Sequence, residues 1–356
     1  MLVKLLYQKV LKPIFFMFSP ETMHSSFVWL GQNIAKTPLI LWPLSKIYGI
    51  PKSTPEVKFD GLTFKGPVCL AAGFDYNGKL SHCLYSMGFA GEEVGSLTAR
   101  SCEGNVPPRL TRLINSKSIL VYKGLRNDGV DNVIKRLKAK KIPKDFVLGI
   151  SIAKTNDYLS VELEDGIQDY CYGLEQLVKA DLGDFYTINV SCPNVFGGED
   201  FASKDKLNQL LTELKKIKHN KPMYVKLPIN KPWEEFSSML EVVKEHEFNG
   251  VVIGNLNKNY EDLSDKDEIP SEYRGGISGR PCQKLSNELI EKTREKYPKD
   301  FTIIGCGGVL SPEDAIEKIK LGANLVQLIT GMIFNGPHLM REINKEYSKY
   351  MKQLEN

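Results

Sequence analysis

A (β/α)8 TIM barrel with a small N-terminal helical domain is the fold that this sequence predicts, on three observations. Eight short apolar runs recur along the chain: Val68–Ala72, Ala90–Val94, Phe146–Ile152, Phe185–Val190, Met223–Leu227, Gly250–Ile253, Phe301–Gly305 and Leu325–Ile329. Continuous apolar runs of this length are the pattern of strands covered on both faces. Amphipathic stretches separate most of them, for example Leu174-x-x-Leu177-Val178 and Phe236-x-x-Met239-Leu240-x-x-Val243, and alternation of strand and helix builds a parallel sheet. The runs also end in glycine, amide and other small residues, at the face where such barrels keep their active sites. A doubly wound open sheet is the runner-up, but no G-x-G-x-x-G follows any run.

The bulk properties agree with a large globular chain. At 356 residues it can bury one big α/β core plus a smaller piece. Hydrophobic content of 42% and charged content of 25% are ordinary. A net charge of +4 without a basic run interleaved with aromatics argues against nucleic acid as a partner. Seven cysteines without a C-x-x-C pair suggest neither a disulfide framework nor a zinc site, and point to a reducing compartment.

The first fifty or so residues form a separate unit, with a boundary expected near residue 52 and the barrel over 53–356. Met1 to Phe18 mixes Leu, Val, Ile and Phe with Lys4, Lys9 and Lys12. Ser19-Pro20-Glu21 combines an N-cap residue, a first-turn proline and an early acid, so a helix starts there and runs past His24, Phe27 and Trp29. A second apolar segment covers Leu39 to Tyr48. No run reaches the roughly eighteen apolar residues of a spanning helix, and no small-x-small cleavage site marks a secretory signal. Two readings stay open: helices lying in a membrane interface, or a helical cap packed on the barrel.

The strand ends carry the chemistry. The first ends in Ala71-Ala-Gly-Phe74, open to a flat ligand, and the second in Val94-Gly-Ser-Leu97. A long insertion from Thr98 to Gly129 follows, holding the basic run Pro108-Arg-Leu-Thr-Arg112. The fourth strand runs into Asn189-Val-Ser-Cys-Pro-Asn194, which groups two amides with a thiol. Proline after Cys192 restricts that cysteine to extended geometry, which suits a fixed reactive group. The fifth strand carries Lys226 among apolar neighbours, and a buried lysine is costly unless it meets an anion. The last two end in Ile304-Gly-Cys-Gly-Gly308 and Leu328-Ile-Thr-Gly331, glycine-rich turns of the kind that hold a phosphate on backbone N–H groups. No histidine stands at any strand end, so a phosphate-bearing organic cofactor fits better than a metal, and no metal ligands are assigned.

These motifs together resemble the class 2 dihydroorotate dehydrogenases, the membrane-associated, quinone-reducing, FMN-containing family of pyrimidine biosynthesis. The resemblance runs from about Phe18 to the C-terminus and rests on Gly61-Leu-Thr-Phe-Lys-Gly-Pro67, Ala71-Ala-Gly73, Pro108-Arg-Leu-Thr-Arg-Leu113, Gly276-Ile-Ser-Gly-Arg-Pro281, Ile304-Gly-Cys-Gly-Gly308 and Val326-Gln-Leu-Ile-Thr-Gly331. It implies FMN held by Ala72, Gly73, Ser96, Ser151, Asn189, Lys226, Gly254, Gly279, Gly308, Ile329 and Thr330. It implies Asn194 and Asn255 facing the pyrimidine, and His24 and Arg112 lining a quinone entrance through residues 1–52. The implied reaction is oxidation of dihydroorotate to orotate by FMN, with a quinone as final acceptor, at the cytoplasmic face of the cell membrane.

Three positions depart from that pattern. Cys192 stands where class 2 members carry a serine base, as in the soluble class 1 enzymes. Tyr76 replaces a lysine after Ala71-Ala-Gly-x-Asp, and Val121 replaces the asparagine of N-x-M-G-[FL]. Lys123 is the substitute cation nearest in sequence, so it joins Asn194 and Asn255 as a substrate-facing candidate. A relative acting on another dihydropyrimidine or cyclic amide remains open. So do, from other classes, a non-redox phosphate-binding barrel and a catalytically inactive membrane-associated protein.

Overall fold

The structure, a computed structural model, describes residues 2–192, 201–269, 275–299 and 301–355. A helical stretch over 2–16 leads into the helix Pro20–Ile34 and then into Pro38–Tyr48. The predicted start at Ser19 is realised: its hydroxyl accepts from the Thr22 N–H at 3.1 Å, and Pro20 needs no partner in the first turn.

Next comes a hairpin, β1 (Val57–Phe59) and β2 (Leu62–Phe64), turned by Asp60-Gly61, both at left-handed φ of 48° and 77°. An Asp-Gly pair suits that tight turn. The Asp60 carboxylate then accepts from the Tyr224 hydroxyl at 2.8 Å and the Thr302 hydroxyl at 2.7 Å, fixing the hairpin across the N-terminal end of the barrel.

The chain continues through β3 (Val68–Leu70), β4 (Gly91–Leu97), β5 (Leu110–Leu113), β6 (Ser118–Val121), β7 (Val147–Ile152), β8 (Phe185–Asn189), β9 (Met223–Leu227), β10 (Gly250–Ile253), β11 (Gly276–Ile277), β12 (Thr302–Cys306) and β13 (Leu325–Leu328). Eight of these, β3-β4-β7-β8-β9-β10-β12-β13, close into a barrel with parallel pairing throughout. They are the eight expected strands: Met223–Leu227 and Gly250–Ile253 have the expected bounds, and the other six have one or both ends moved by up to three residues. The largest change is in β4, which runs on to Leu97 past a register shift after Val94 and so carries Ser96 within the strand.

The helical stripes pack as their periodicity requires. Leu174 and Leu177 of the helix Leu163–Ala180, and Phe236, Met239, Leu240 and Val243 of Trp233–Glu245, are buried in one cluster with Ile150, Ile188 and Val225 of the strands. Each such side chain contributes about 1.5–3 kcal/mol of burial. The remaining strands β5, β6 and β11 make a small sheet outside the barrel.

The N-terminal helices are tied to the barrel. The Tyr7 hydroxyl donates to the Ile333 carbonyl at 2.6 Å, the Arg112 guanidinium of β5 donates to the Phe18 carbonyl at 2.7 Å, and Phe16 meets Phe334 edge-on at 5.5 Å. Their other side stays apolar and open: Met17 is 83% exposed, Trp29 66%, Leu39 87% and Trp42 68%. Among the described residues, no helix is long and apolar enough to cross a membrane.

Candidate active site

A cavity of about 490 Å³ lies between the C-terminal ends of the barrel strands, the β5–β6 hairpin and the N-terminal helices. Parallel strands deliver their terminal side chains to this end. Its polar side is made by strand ends: Ala72 and Gly73 beyond β3, Ser96 in β4, Asn189 at the end of β8, Cys192 just after it, Lys226 in β9, Asn255 beyond β10, and Ile329 and Thr330 beyond β13. Its apolar side is aromatic and aliphatic, with Phe15, Phe16 and Phe27 from the N-terminal helices.

Asn189 is the best-fixed group. Its amide nitrogen donates to the Ser96 hydroxyl at 2.8 Å, and that hydroxyl shares a 2.7 Å hydrogen bond with Ser151. Its amide oxygen accepts from Asn255 at 3.4 Å and from the Ser191 hydroxyl at 3.3 Å, while its backbone carbonyl accepts from Tyr170 at 2.8 Å. Asn255 is held in turn by the Ser191 hydroxyl, at 2.5 Å, and by its carbonyl, at 2.9 Å. Two amides locked this way present fixed donors and acceptors to a planar ligand.

Lys226 is 5% exposed, faces the cavity, and among the described residues has neither a hydrogen bond nor an ion pair. A desolvated ammonium without a counter-charge costs several kcal/mol. An electron-rich planar ligand in the cavity would offset that cost, so this residue fits a flavin ring. Gly73, at φ 112°, fits as well: a Cβ there would meet only Ile329 Cδ1, at 3.6 Å, so its backbone is bare toward the cavity.

Ser151, Gly254, Gly279 and Gly308 do not line this cavity. Ser151 lies behind Ser96, and a side chain on the three glycines would strike Cys306 O, Lys117 O and Gln283 Cβ respectively. Asn194 lies outside the described residues.

The three departures from the family pattern, Tyr76, Val121 and Cys192, converge in the same place, and Lys123 joins them on the cavity wall. Lys123 is buried, with its ammonium 5.3 Å above the Tyr76 ring and 3.7 Å from Glu21 of the helix Pro20–Ile34. Burial, reinforced by Arg126 and Arg109 and opposed by Glu21, lowers its pKa to about 8. His24 also lines the cavity; its Nε2–H donates to the Phe74 carbonyl at 2.8 Å, and burial holds its pKa down at about 4. Arg112 reaches the wall with its guanidinium 4.6 Å from the Phe16 ring. Sequence reasoning missed Glu21 and Arg109, 3.8 Å apart, which brace Lys123. Their only sequence signals were a first-turn acid and a basic loop.

Residues 55–351 match the family model for dihydroorotate dehydrogenase. The chain belongs to the dihydroorotate dehydrogenase family. It is 36% identical over 345 residues to the dihydroorotate dehydrogenase (quinone) of Christiangramia forsetii, covering 96% of this chain and 98% of the relative. It is 32% identical over 352 residues to the protein of the same name from Thermosynechococcus vestitus, covering 95% of each. The crystal structure of Eimeria tenella DHODH in complex with ferulenol superposes with a TM-score of 0.82 at 27% identity, covering 94% of this chain and 92% of that one. The family is flavin-dependent, and its quinone-type members are typically membrane-associated.

Proposed function

We propose that this chain oxidises (S)-dihydroorotate to orotate on bound FMN and passes the electrons to a membrane quinone, a step of UMP biosynthesis. The observation that carries the reading is one cavity with two chemistries: locked amides, a thiol and a buried lysine on one side, and the apolar N-terminal helices on the other. FMN, when bound, supplies the hydride acceptor. Ala72, Gly73, Ser96, Asn189, Lys226, Ile329 and Thr330 would hold it from the cavity wall, with Ser151, Gly254, Gly279 and Gly308 shaping the strand ends behind them. Asn255 and Asn194 would orient the dihydropyrimidine, and Cys192 would take the proton that leaves the carbon adjacent to the hydride. Lys226 would stabilise negative charge gathering on the reduced ring.

Residues 1–52 would be the quinone-access domain, with His24 and Arg112 on its inner wall. The exposed Trp29, Leu39 and Trp42 would rest it on the cytoplasmic face of the membrane as a peripheral protein. The test is cofactor content: the purified protein should be yellow and release FMN on acid denaturation. A colourless protein that fails to take up added FMN would overturn the reading.

Tyr76 and Val121 favour a second reading, a relative acting on another dihydropyrimidine. Valine offers neither donor nor acceptor, and tyrosine offers one neutral hydroxyl. A substrate group left without its partner costs about 1–3 kcal/mol, and about 1.4 kcal/mol is one decade of affinity. Introducing Val121→Asn together with Tyr76→Lys is therefore expected to tighten orotate binding about ten-fold, measured by flavin difference spectra. Wild-type protein that binds no orotate while the double variant does would favour a different natural substrate.

A further inference from the structure

Lys123 stands in a wall between two cavities. Behind the apolar cavity lies a second one of about 300 Å³, with Lys79, Glu103 and Asp128 among its walls. The two share His24, Phe74, Tyr76, Lys123 and Arg126. Among the described residues, Lys123 is thus the one lysine that lines both cavities.

Sequence reasoning groups Lys123 with the dihydropyrimidine, but its surroundings group it with the acceptor. Glu21 and His24 both belong to the helix Pro20–Ile34 that lines the apolar side. The 3.7 Å separation from Glu21 is longer than a hydrogen bond, and that carboxylate is shared with Arg109 at 3.8 Å. Glu21 still pairs with the ammonium and holds it where the two cavities meet.

The neighbouring groups are poor proton donors. The Nε2–H of His24 is held by the Phe74 carbonyl, and burial keeps the ring neutral, with no second proton to give. Burial raises the Tyr76 phenol well above its ordinary range, so it keeps its proton.

We propose that Lys123 is the proton donor to the electron acceptor, giving its proton to a quinone oxygen in the apolar cavity and regaining one from water through the charged vestibule behind it. The assignment rests on the quinone reading above. Reduction of a quinone to a quinol adds two electrons and two protons. FMN, when bound and reduced to its anion, would supply both electrons and one of these protons on reoxidation. The remaining proton comes from Lys123: its N–H bond breaks, an O–H bond forms on the quinol, and the neutral amine is reprotonated by water.

The pH dependence follows from the groups around Lys123: Glu21 and His24 from the N-terminal helix, Tyr76 from the loop after β3, Arg109 from the segment before β5, and Arg126 from its own loop. Burial and the two arginines outweigh Glu21, so the ammonium loses its proton near pH 8. A donor works in its protonated form, so flavin reoxidation should slow as pH rises through about 8.

The test uses the full-length FMN-loaded protein, reduced with dithionite so that no dihydropyrimidine is involved, and mixed with a water-soluble short-chain benzoquinone. Lys123→Met is expected to slow reoxidation by on the order of 10²-fold and to abolish the limb near pH 8, and added methylamine should restore part of the rate. Lys123→Arg keeps the charge but holds its proton, so it should be as slow. Quinone affinity, read from tryptophan fluorescence quenching, should change less than two-fold in Lys123→Met. Wild-type rates in Lys123→Met, or full activity in Lys123→Arg, would overturn the assignment. So would a Lys123→Met protein whose defect lies only in reduction by dihydroorotate. If reduced wild-type protein ignores quinone but is reoxidised by a non-quinone acceptor, the quinone reading itself falls and takes this assignment with it.

Discussion

Replacing Cys192 by alanine is expected to leave FMN bound and to slow its reduction by dihydroorotate by on the order of 10²–10⁴-fold, the usual contribution of a positioned base. Cys192 follows the strand β8 that also carries Asn189, and it opens on the cavity beside Asn255 and Lys226. Alanine removes the proton acceptor and leaves the amides, their serine partners and the lysine untouched. Flavin absorbance and orotate affinity should therefore stay close to wild type while the single-turnover rate collapses. Cys192→Ser is expected to retain part of the rate, because a hydroxyl can occupy the same place as a weaker acid. Reduction at the wild-type rate in Cys192→Ala would move the base to another residue.

Substituting Lys226 by methionine is expected to act with opposite signs on the empty and the loaded protein. In the empty protein Lys226 is a buried cation with no hydrogen bond or ion pair among the described residues. A methionine of similar length removes that desolvation cost, so the apoprotein should melt at a higher temperature. If FMN binds as proposed, the ammonium would make a charge-assisted hydrogen bond to the ring, worth about 1.5–3 kcal/mol. Its loss should weaken FMN binding by about ten-fold to a hundred-fold and slow reduction of whatever FMN remains. Apoprotein thermal unfolding and an FMN titration check the two halves separately. A destabilised apoprotein with unchanged FMN affinity would make Lys226 a structural residue.

The barrel is legible in the sequence because its strands are buried on both faces and read as unbroken apolar runs; Val225, Leu227, Val251 and Ile253 show no exposed face at all. The small sheet was not. Strands β5 and β6 are four residues each, β5 is only partly covered, and β11 pairs with β6 across more than 150 positions of chain. The β1–β2 hairpin did carry a signal, Asp60-Gly61 between alternating apolar residues, and it went unread. Site residues on strand ends could be placed for the same reason as the strands: Asn189, Lys226, Asn255, Ile329 and Thr330 meet around one cavity. What the sequence could not show were contacts between distant loops. The approach of Glu21 to Lys123, and the second cavity behind them, arise only when a helix near residue 21 folds over a loop near residue 123.

The central claim is that one cavity serves both a dihydropyrimidine and a membrane quinone. Anaerobic mixing of the full-length FMN-loaded protein with dihydroorotate, followed by liposomes containing quinone, tests it most directly. The absorbance of oxidised flavin should bleach on the first addition, orotate should form in equal amount, and the absorbance should return on the second. Flavin that dihydroorotate does not bleach, or that stays bleached in the presence of quinone-loaded liposomes, would contradict the account.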